Sequence, residues 1–204
     1  MLSCVDSVHD RLIYGRRVRA LAVAIAGLIP AGARVVDVGC GDGRLAALVA
    51  KRAAGVRMEG YDVLVRRRQA IPIHQFDGSH LPLAENSADI VMMVDVLHHA
   101  ADPMRLLREA RRVARQAIII KDHRLSKTGA RAILTFMDWV GNRPQGVSLP
   151  YNYWTAERWQ EAWSRLDLAP TYYETSLSLY PPPASWVFEA GLHFVARLDK
   201  VVHR

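Results

Sequence analysis

The chain has 204 residues, half of them hydrophobic and 23% charged. That composition suits one globular domain and excludes a chain disordered throughout. Lys and Arg number 27 against 20 Asp and Glu, a formal charge of +7, which suits an anionic partner or simply a soluble surface. Cys4 and Cys40 are the only cysteines. This is too few for a disulfide framework or a cysteine zinc site, so the expectation is a cytoplasmic protein of a reducing compartment with no metal.

The apolar stretch 20–30 is shorter than the roughly 20 residues of a membrane helix and lacks a cleavage pattern, so neither a span nor a leader is expected. Before it, Leu12, Ile13, Val18, Leu21 and Ile25 fall at roughly helical spacing, and Pro30-Ala31-Gly32 stops the helix. Apolar runs then alternate with helical stretches. Strands are predicted at 34–38, 56–62, 71–76, 88–94 and 117–120, with helices at 45–54 and 103–114. This alternation predicts βαβ units and a parallel sheet. After Lys121 the rhythm breaks. A helix is expected over 126–140 and a loop over 142–150, then a helix capped by Thr155 and carrying Trp159, Ala162, Trp163 and Leu166 inward. Two antiparallel strands near 170–175 and 186–198 should close one edge, separated by Pro181-Pro182-Pro183.

The most informative stretch is Val35-Val36-Asp37-Val38-Gly39-Cys40-Gly41-Asp42-Gly43, a strand running into a glycine-rich turn that opens a helix. Its spacing is G-x-G-x-G, not the G-x-G-x-x-G of dinucleotide binders. Asp37 at the strand end would repel a pyrophosphate but suits a cationic amine. Asp62 closes the next strand, about 20 residues on, where an acid binds ribose hydroxyls. The ligand should therefore carry a ribose and a positive charge, and S-adenosylmethionine fits.

These residues resemble the first motif of the class I S-adenosylmethionine-dependent methyltransferases. The segments Phe76-Asp77-Gly78-Ser79-His80-Leu81-Pro82-Leu83 and Ser87-Ala88-Asp89-Ile90-Val91 are similar to later family segments. Asp95-Val96-Leu97-His98-His99 followed by Asp102-Pro103 resembles the small-molecule, type 11 or UbiE-like subgroup. The resemblance spans about residues 9–122 and weakens beyond. It implies a doubly wound, Rossmann-like α/β fold with a mostly parallel seven-stranded sheet whose last strand is antiparallel. N-terminal helices (1–32), a cofactor-binding core (33–122), a lid (123–154) and a C-terminal helix with edge strands (155–204) would make up one domain. It implies that Asp37 holds the methionine amine and that Gly39, Cys40 and Gly41 line the methionine part. Asp62 would bind the ribose, Asp77 and Gly78 the adenine, and Val63 would lie on the ring. Val94 and Asp95 would border the sulfonium.

His98, His99 and His123 follow strands four and five, at the sheet edge where ligands bind, and are the candidate bases or acceptor contacts. His74, His80, His193 and His203 are expected at the surface or in packing. Arg105, Arg108, Arg112 and Arg115 form a solvated helix face, with Glu109 placed to pair with Arg105 or Arg112. Arg66-Arg67-Arg68 suits RNA or a 2′-phosphate, or a solvated loop. Phe136, Trp139, Tyr151, Tyr153 and Trp154 would wall an apolar pocket, while Tyr14 and Arg17 would close over the cofactor. The expected function is methyl transfer to a small acceptor, with no specific nucleic acid partner. The alternatives are an RNA or protein methyltransferase, a nicotinamide-dependent oxidoreductase, or a non-catalytic cofactor-binding protein.

Overall fold

The computed structural model describes residues 15–142, 150–189 and 191–201. The helix α1 (Gly15–Ala26) leads into β1 (Arg34–Val38), α2 (Arg44–Ala50), β2 (Arg57–Asp62), β3 (Ile73–Gln75) and β4 (Ala88–Val94). A 3₁₀ turn (Leu97–His99), α3 (Pro103–Val113) and β5 (Ala114–Leu125) follow. The remainder is α4 (Ala130–Asn142), β6 (Trp154–Thr155), α5 (Ala156–Ser164), β7 (Leu168–Glu174), α6 (Ala184–Phe188) and β8 (His193–Lys200). Tyr14, Cys4 and His203 lie outside the described residues.

The sheet order is β3-β2-β1-β4-β5-β8-β7, with β6 pairing β5 off that path. β1 lies between β2 and β4, parallel to both. The chain winds outward from β1 to β3 and returns to β4 on the other side, so a crevice opens at the carboxyl ends of β1 and β4. Among the described strands, only β8 runs antiparallel, to both β5 and β7.

Both faces of the central strands are covered, which explains their unbroken apolar runs. Val36, Val38, Val91, Met93, Ile118 and Ile120 face the layer of α3 and α5. Val35, Ile90, Met92 and Ile119 face α1 and α2 through Leu21, Ile25, Ala46 and Val49. The helix α3 begins where Asp102 Oδ1 accepts from Arg105 N at 2.9 Å, with Pro103 in its first turn. Thr155 Oγ1 caps α5 by accepting from Arg158 N at 3.3 Å. Glu109 pairs with Arg112 at 2.8 Å.

As expected, the two late strands pair antiparallel and close one edge of the sheet, with β7 outermost and β8 next to β5. Three expectations need correction. The sheet has eight strands, because β6 adds a two-residue pairing to β5 at Arg124↔Trp154. Residues 186–188 are helical, and the strand begins at His193. β5 runs from Ala114 to Leu125, longer at both ends than the strand expected at 117–120, and β8 pairs with it as far as His123↔His193. No described helix is long and apolar enough to cross a membrane.

One close approach fixes β2 against the glycine turn. A Cβ on Gly60 would lie 2.4 Å from Cys40 Sγ and 3.3 Å from Ile71 Cδ1. Overpacking of this kind costs about 1–3 kcal/mol. We expect Gly60→Ala to destabilise the fold by that amount in denaturant melts, and Cys40→Ala to recover much of the loss in the double variant. Equal losses in both backgrounds would show that this contact is not the constraint.

Candidate active site

At the end of β1 the chain turns sharply through residues of positive φ. Gly39 has φ +69°, and a Cβ there would meet Val96 Cγ2 at 2.5 Å, so only glycine lets the segment after β4 come this close. Gly41 has φ +62°, and a Cβ there would meet nothing within 4 Å. The space above the turn is therefore open, and backbone conformation alone excludes a side chain.

Asp62, at the end of β2, is fastened to this turn. Its Oδ2 accepts from Gly41 N at 2.8 Å and its Oδ1 from Leu64 N at 2.9 Å. A carboxylate oxygen has two lone pairs, so each can accept once more. Val63 and Leu64 beside it are half exposed. Asp77 Oδ1 accepts from Ser79 N and His80 N, each at 2.7 Å, and these bonds hold its carboxyl below the usual range. A Cβ on Gly78 would stand 3.1 Å from Val63 Cγ1. Asp37 lies buried beneath, its carboxyl pushed well up by burial and by the Asp62 charge. Cys40 packs toward Gly60, and burial together with Asp37 and Asp62 pushes its thiol up, which argues against a nucleophile.

A second group of side chains meets at the ends of β4 and β5. Asp95 has φ +57° and pairs with Arg17 of α1 at 2.5 Å and with the fully buried Lys121. Burial opposes its ionisation, but Arg17 and Lys121 hold it well below the usual range. Lys121 also lies 3.3 Å from His193 Nδ1. His98 Nδ1 meets Asp122 Oδ1 at 2.5 Å, and His98 Nε2 stands 3.4 Å from Asp138 Oδ2. His123 Nδ1 is 3.0 Å from His193 Nδ1, and His123 Nε2 is 3.5 Å from Asp138 Oδ1. The Tyr153 hydroxyl donates to Asp138 Oδ2.

The three candidate histidines are therefore close but unlike. Burial lowers His98, yet the carboxylates of Asp122 and Asp138 carry it up to about 10. Burial, Lys121 and His98 bring His123 down to about 4. Burial and the neighbouring His98 lower His99, whose ring lies 4.0 Å from that of His98 and whose buried Nδ1 has no hydrogen-bond partner. The main-chain N–H of Asn152 donates to His98 O at 3.1 Å, so the segment before β6 is strapped across the 3₁₀ turn.

Sequence reasoning did not foresee Asp138, Lys121 and His193 in this group. The register His123↔His193 brings His193 in, and pattern alone does not give that register. Asp138 reads as one polar residue on a helix face. His74 and His80 are exposed beside Glu59 and Glu109, as expected of surface residues.

Comparison with known proteins agrees with this geometry. The Methyltransf_11 family model, described as "Methyltransferase domain", matches residues 36–119, which run from β1 into β5. Over those residues the chain is similar to a methyltransferase domain. An uncharacterized methyltransferase of Mycobacterium sp. (strain JLS) is 33% identical over 119 residues, covering 55% of this chain and 42% of that protein. One of Mycobacteroides abscessus is 31% identical over 169 residues, covering 76% and 57%. The chain thus spans only about half the length of these relatives. A structure of the Haloferax volcanii Trm112 methyltransferase activator in complex with a methyltransferase matches with a TM-score of 0.69 at 16% identity, covering 97% of this chain and 94% of that one. At that identity it speaks for the fold.

The first group of residues suits the methyltransferase cofactor. Open space over Gly41, two acceptor oxygens on Asp62, the apolar side chain of Val63 and the carboxyl of Asp37 are groups that could hold its methionine backbone, ribose, adenine and ammonium.

Asp37 makes this testable through pH. A carboxyl whose pKa is raised in the folded state contributes stability below its unfolded pKa and loses it as pH rises through the folded value. Ligand-free Asp37→Asn should therefore melt above wild type at pH 7, with the difference vanishing below about pH 4, the ordinary carboxylate range. A wild type that melts higher at pH 7 would contradict a carboxyl strained by burial.

Proposed function

We propose that the protein transfers a methyl group from S-adenosylmethionine to a small acceptor bound beside the histidine group. The observation that carries this reading is the turn at Gly41, where open backbone and the Asp62 carboxylate lie above the buried carboxyl of Asp37, a set that suits a cationic ribonucleoside. The cofactor supplies an activated methyl on a sulfonium, so the protein's task is chiefly alignment. In this reading Asp62 holds the ribose, Asp77 and Gly78 the adenine edge, and Asp37 the ammonium. Gly39, Cys40 and Gly41 form the floor, and Val63, Val94 and Asp95 border the ring and the sulfonium.

His98, protonated between two carboxylates, has no capacity to accept a proton near neutral pH. His123 is neutral but enclosed. His99, partly exposed with an unpartnered Nδ1, is the group we assign to the acceptor. Trp139 and Tyr151, with Ala132, Thr135 and Phe136, line an open apolar concavity of about 830 Å³, which suits a partly apolar acceptor. Trp154 belongs elsewhere, buried in the core with its ring 4.7 Å from that of Trp159.

Titration calorimetry with S-adenosylhomocysteine, NADPH and a mixed RNA pool tests the reading. We expect only the first to bind stoichiometrically, and Asp62→Ala to weaken it by about 1.5–3 kcal/mol, as for hydrogen bonds to a charged group. Selective RNA binding that survives about 200 mM salt, or NADPH binding, would displace the proposal. Once an acceptor is found, Trp139→Ala and Tyr151→Ala should spare S-adenosylhomocysteine affinity and impair turnover. A loss of cofactor affinity instead would place both residues in the cofactor crevice.

A further inference from the structure

His98, His123 and Asp138 share a feature that the methyl-transfer reading does not use. The atoms they offer to one another all lie within 4.8 Å, and the side chains are almost wholly buried, with relative accessibilities of 1%, 3% and 5%. The hydrogen bonds around them set which ring nitrogens carry protons when the imidazoles are neutral.

His193 Nε2 lies 2.8 Å from the carbonyl oxygen of Phe188, which accepts only, so the proton of His193 sits on Nε2 and its Nδ1 is a lone pair. Two donors face that lone pair, His123 Nδ1 at 3.0 Å and Lys121 Nζ at 3.3 Å. Lys121 also has Asp95 as partner, so the shorter contact, from His123 Nδ1, is the bond. His123 Nε2 is then a bare lone pair, facing Asp138 Oδ1 at 3.5 Å. On the other ring, His98 Nδ1 donates to Asp122 Oδ1. His98 Nε2 faces Asp138 Oδ2 at 3.4 Å and makes no hydrogen bond. It carries a proton near neutral pH and would release it to solvent when a cation takes its place. Two ring nitrogens and a carboxylate thus converge, and each pair of partners stands too far apart for a good hydrogen bond.

We propose that His98, His123 and Asp138 form a binding site for a divalent first-row transition ion of the zinc class. A tetrahedral ion with bonds of about 2.0–2.1 Å spaces its ligand atoms about 3.3–3.4 Å apart. His98 Nε2 and His123 Nε2 stand 3.4 and 3.5 Å from different oxygens of Asp138, and the three donor atoms lie within 4.8 Å of one another, so a bound ion would draw them together by about 1 Å to reach that spacing. Neutral imidazoles with one carboxylate are a donor set that such ions take. Each ligand also has a partner orienting it: Asp122 on His98, His193 on His123 and Tyr153 on Asp138. Carboxylate–histidine support of this kind is the usual outer shell of a built metal site. Three protein donors leave the ion a fourth position for water or a ligand oxygen. The expectation of no metal rested on cysteines, and this site uses none.

The test is metal uptake by the full-length protein, with no reference to methyl transfer. The protein is stripped with dipicolinate, then titrated with Co²⁺ and with Zn²⁺ while visible absorption and melting temperature are followed. Wild type should take up about one Co²⁺ per chain with ligand-field bands that Zn²⁺ abolishes, and bound metal should raise the melting temperature. Asp138→Asn and His123→Gln should lose the bands, and Asp122→Asn should weaken binding by about 10–100-fold, as outer-shell changes do. A His74→Ala, His80→Ala double variant should bind as wild type does. Absence of a stoichiometric site in folded wild type overturns the proposal, as does unchanged binding in a folded Asp138→Asn protein. If a ligand variant fails to fold, the wild-type titration and the double-variant control still decide the matter.

Discussion

The fully buried ammonium of Lys121 is the constraint on which the carboxyl end of the sheet depends. A charge removed from water is tolerated only when paired, and Asp95 is its partner. That pairing ties the end of β5 to the residue just after β4, which takes up a left-handed conformation. The same carboxylate holds Arg17, so α1 is drawn over the crevice by a charge that originates in the sheet. Val96, one residue on, rests against Gly39. The turn proposed to cradle the cofactor and the group proposed to meet the acceptor are thus held in register by one carboxylate and the segment that carries it.

Charge and burial divide the crevice into two chemistries. Along β1 to β3 the carboxylates of Asp37 and Asp62 meet the glycine turn, with open space above Gly41, while Arg34 and Arg44 pair with Glu59 and Asp42. At β4 and β5 the carboxylates of Asp95, Asp122 and Asp138 interleave with Lys121 and histidines in a nearly dry interior. The first arrangement attracts a cationic ligand from solvent. The second resists hydration and holds its groups by mutual hydrogen bonds, so truncating one member leaves others buried and unpaired.

What could be read from sequence follows the range of the forces involved. The glycine turn, Asp37 and Asp62 were legible because backbone conformation and strand–turn–helix order are local, and the turn lies within a few residues of its own strand. The capping roles of Asp102 and Thr155 were legible for the same reason. The position of β8 was not, because nothing in a run such as Phe194-Val195-Ala196 says which strand it will pair with. His193 consequently read as a surface or packing residue, although its Nδ1 lies 3.0 Å from His123 Nδ1 and 3.3 Å from Lys121 Nζ. Trp154 and Tyr153 are neighbours in sequence with opposite fates: one enters the main core, while the other hydrogen-bonds Asp138. An aromatic count could not separate them, because the two-residue pairing at β6 decides which way each faces.

The placement of β8 inside the sheet has a consequence for the order of assembly. The pairing of His123 with His193 closes a loop of 70 residues, whereas β1 joins β2 across one short helix. Contacts so distant in sequence are slow to form. The cofactor half can therefore gain its parallel core while the histidine half still lacks the strand that seals it. Until β8 arrives, Lys121 and His123 remain open to water and to exchange with solvent ions. The interior that ends driest in the protein is thus the last to lose its water.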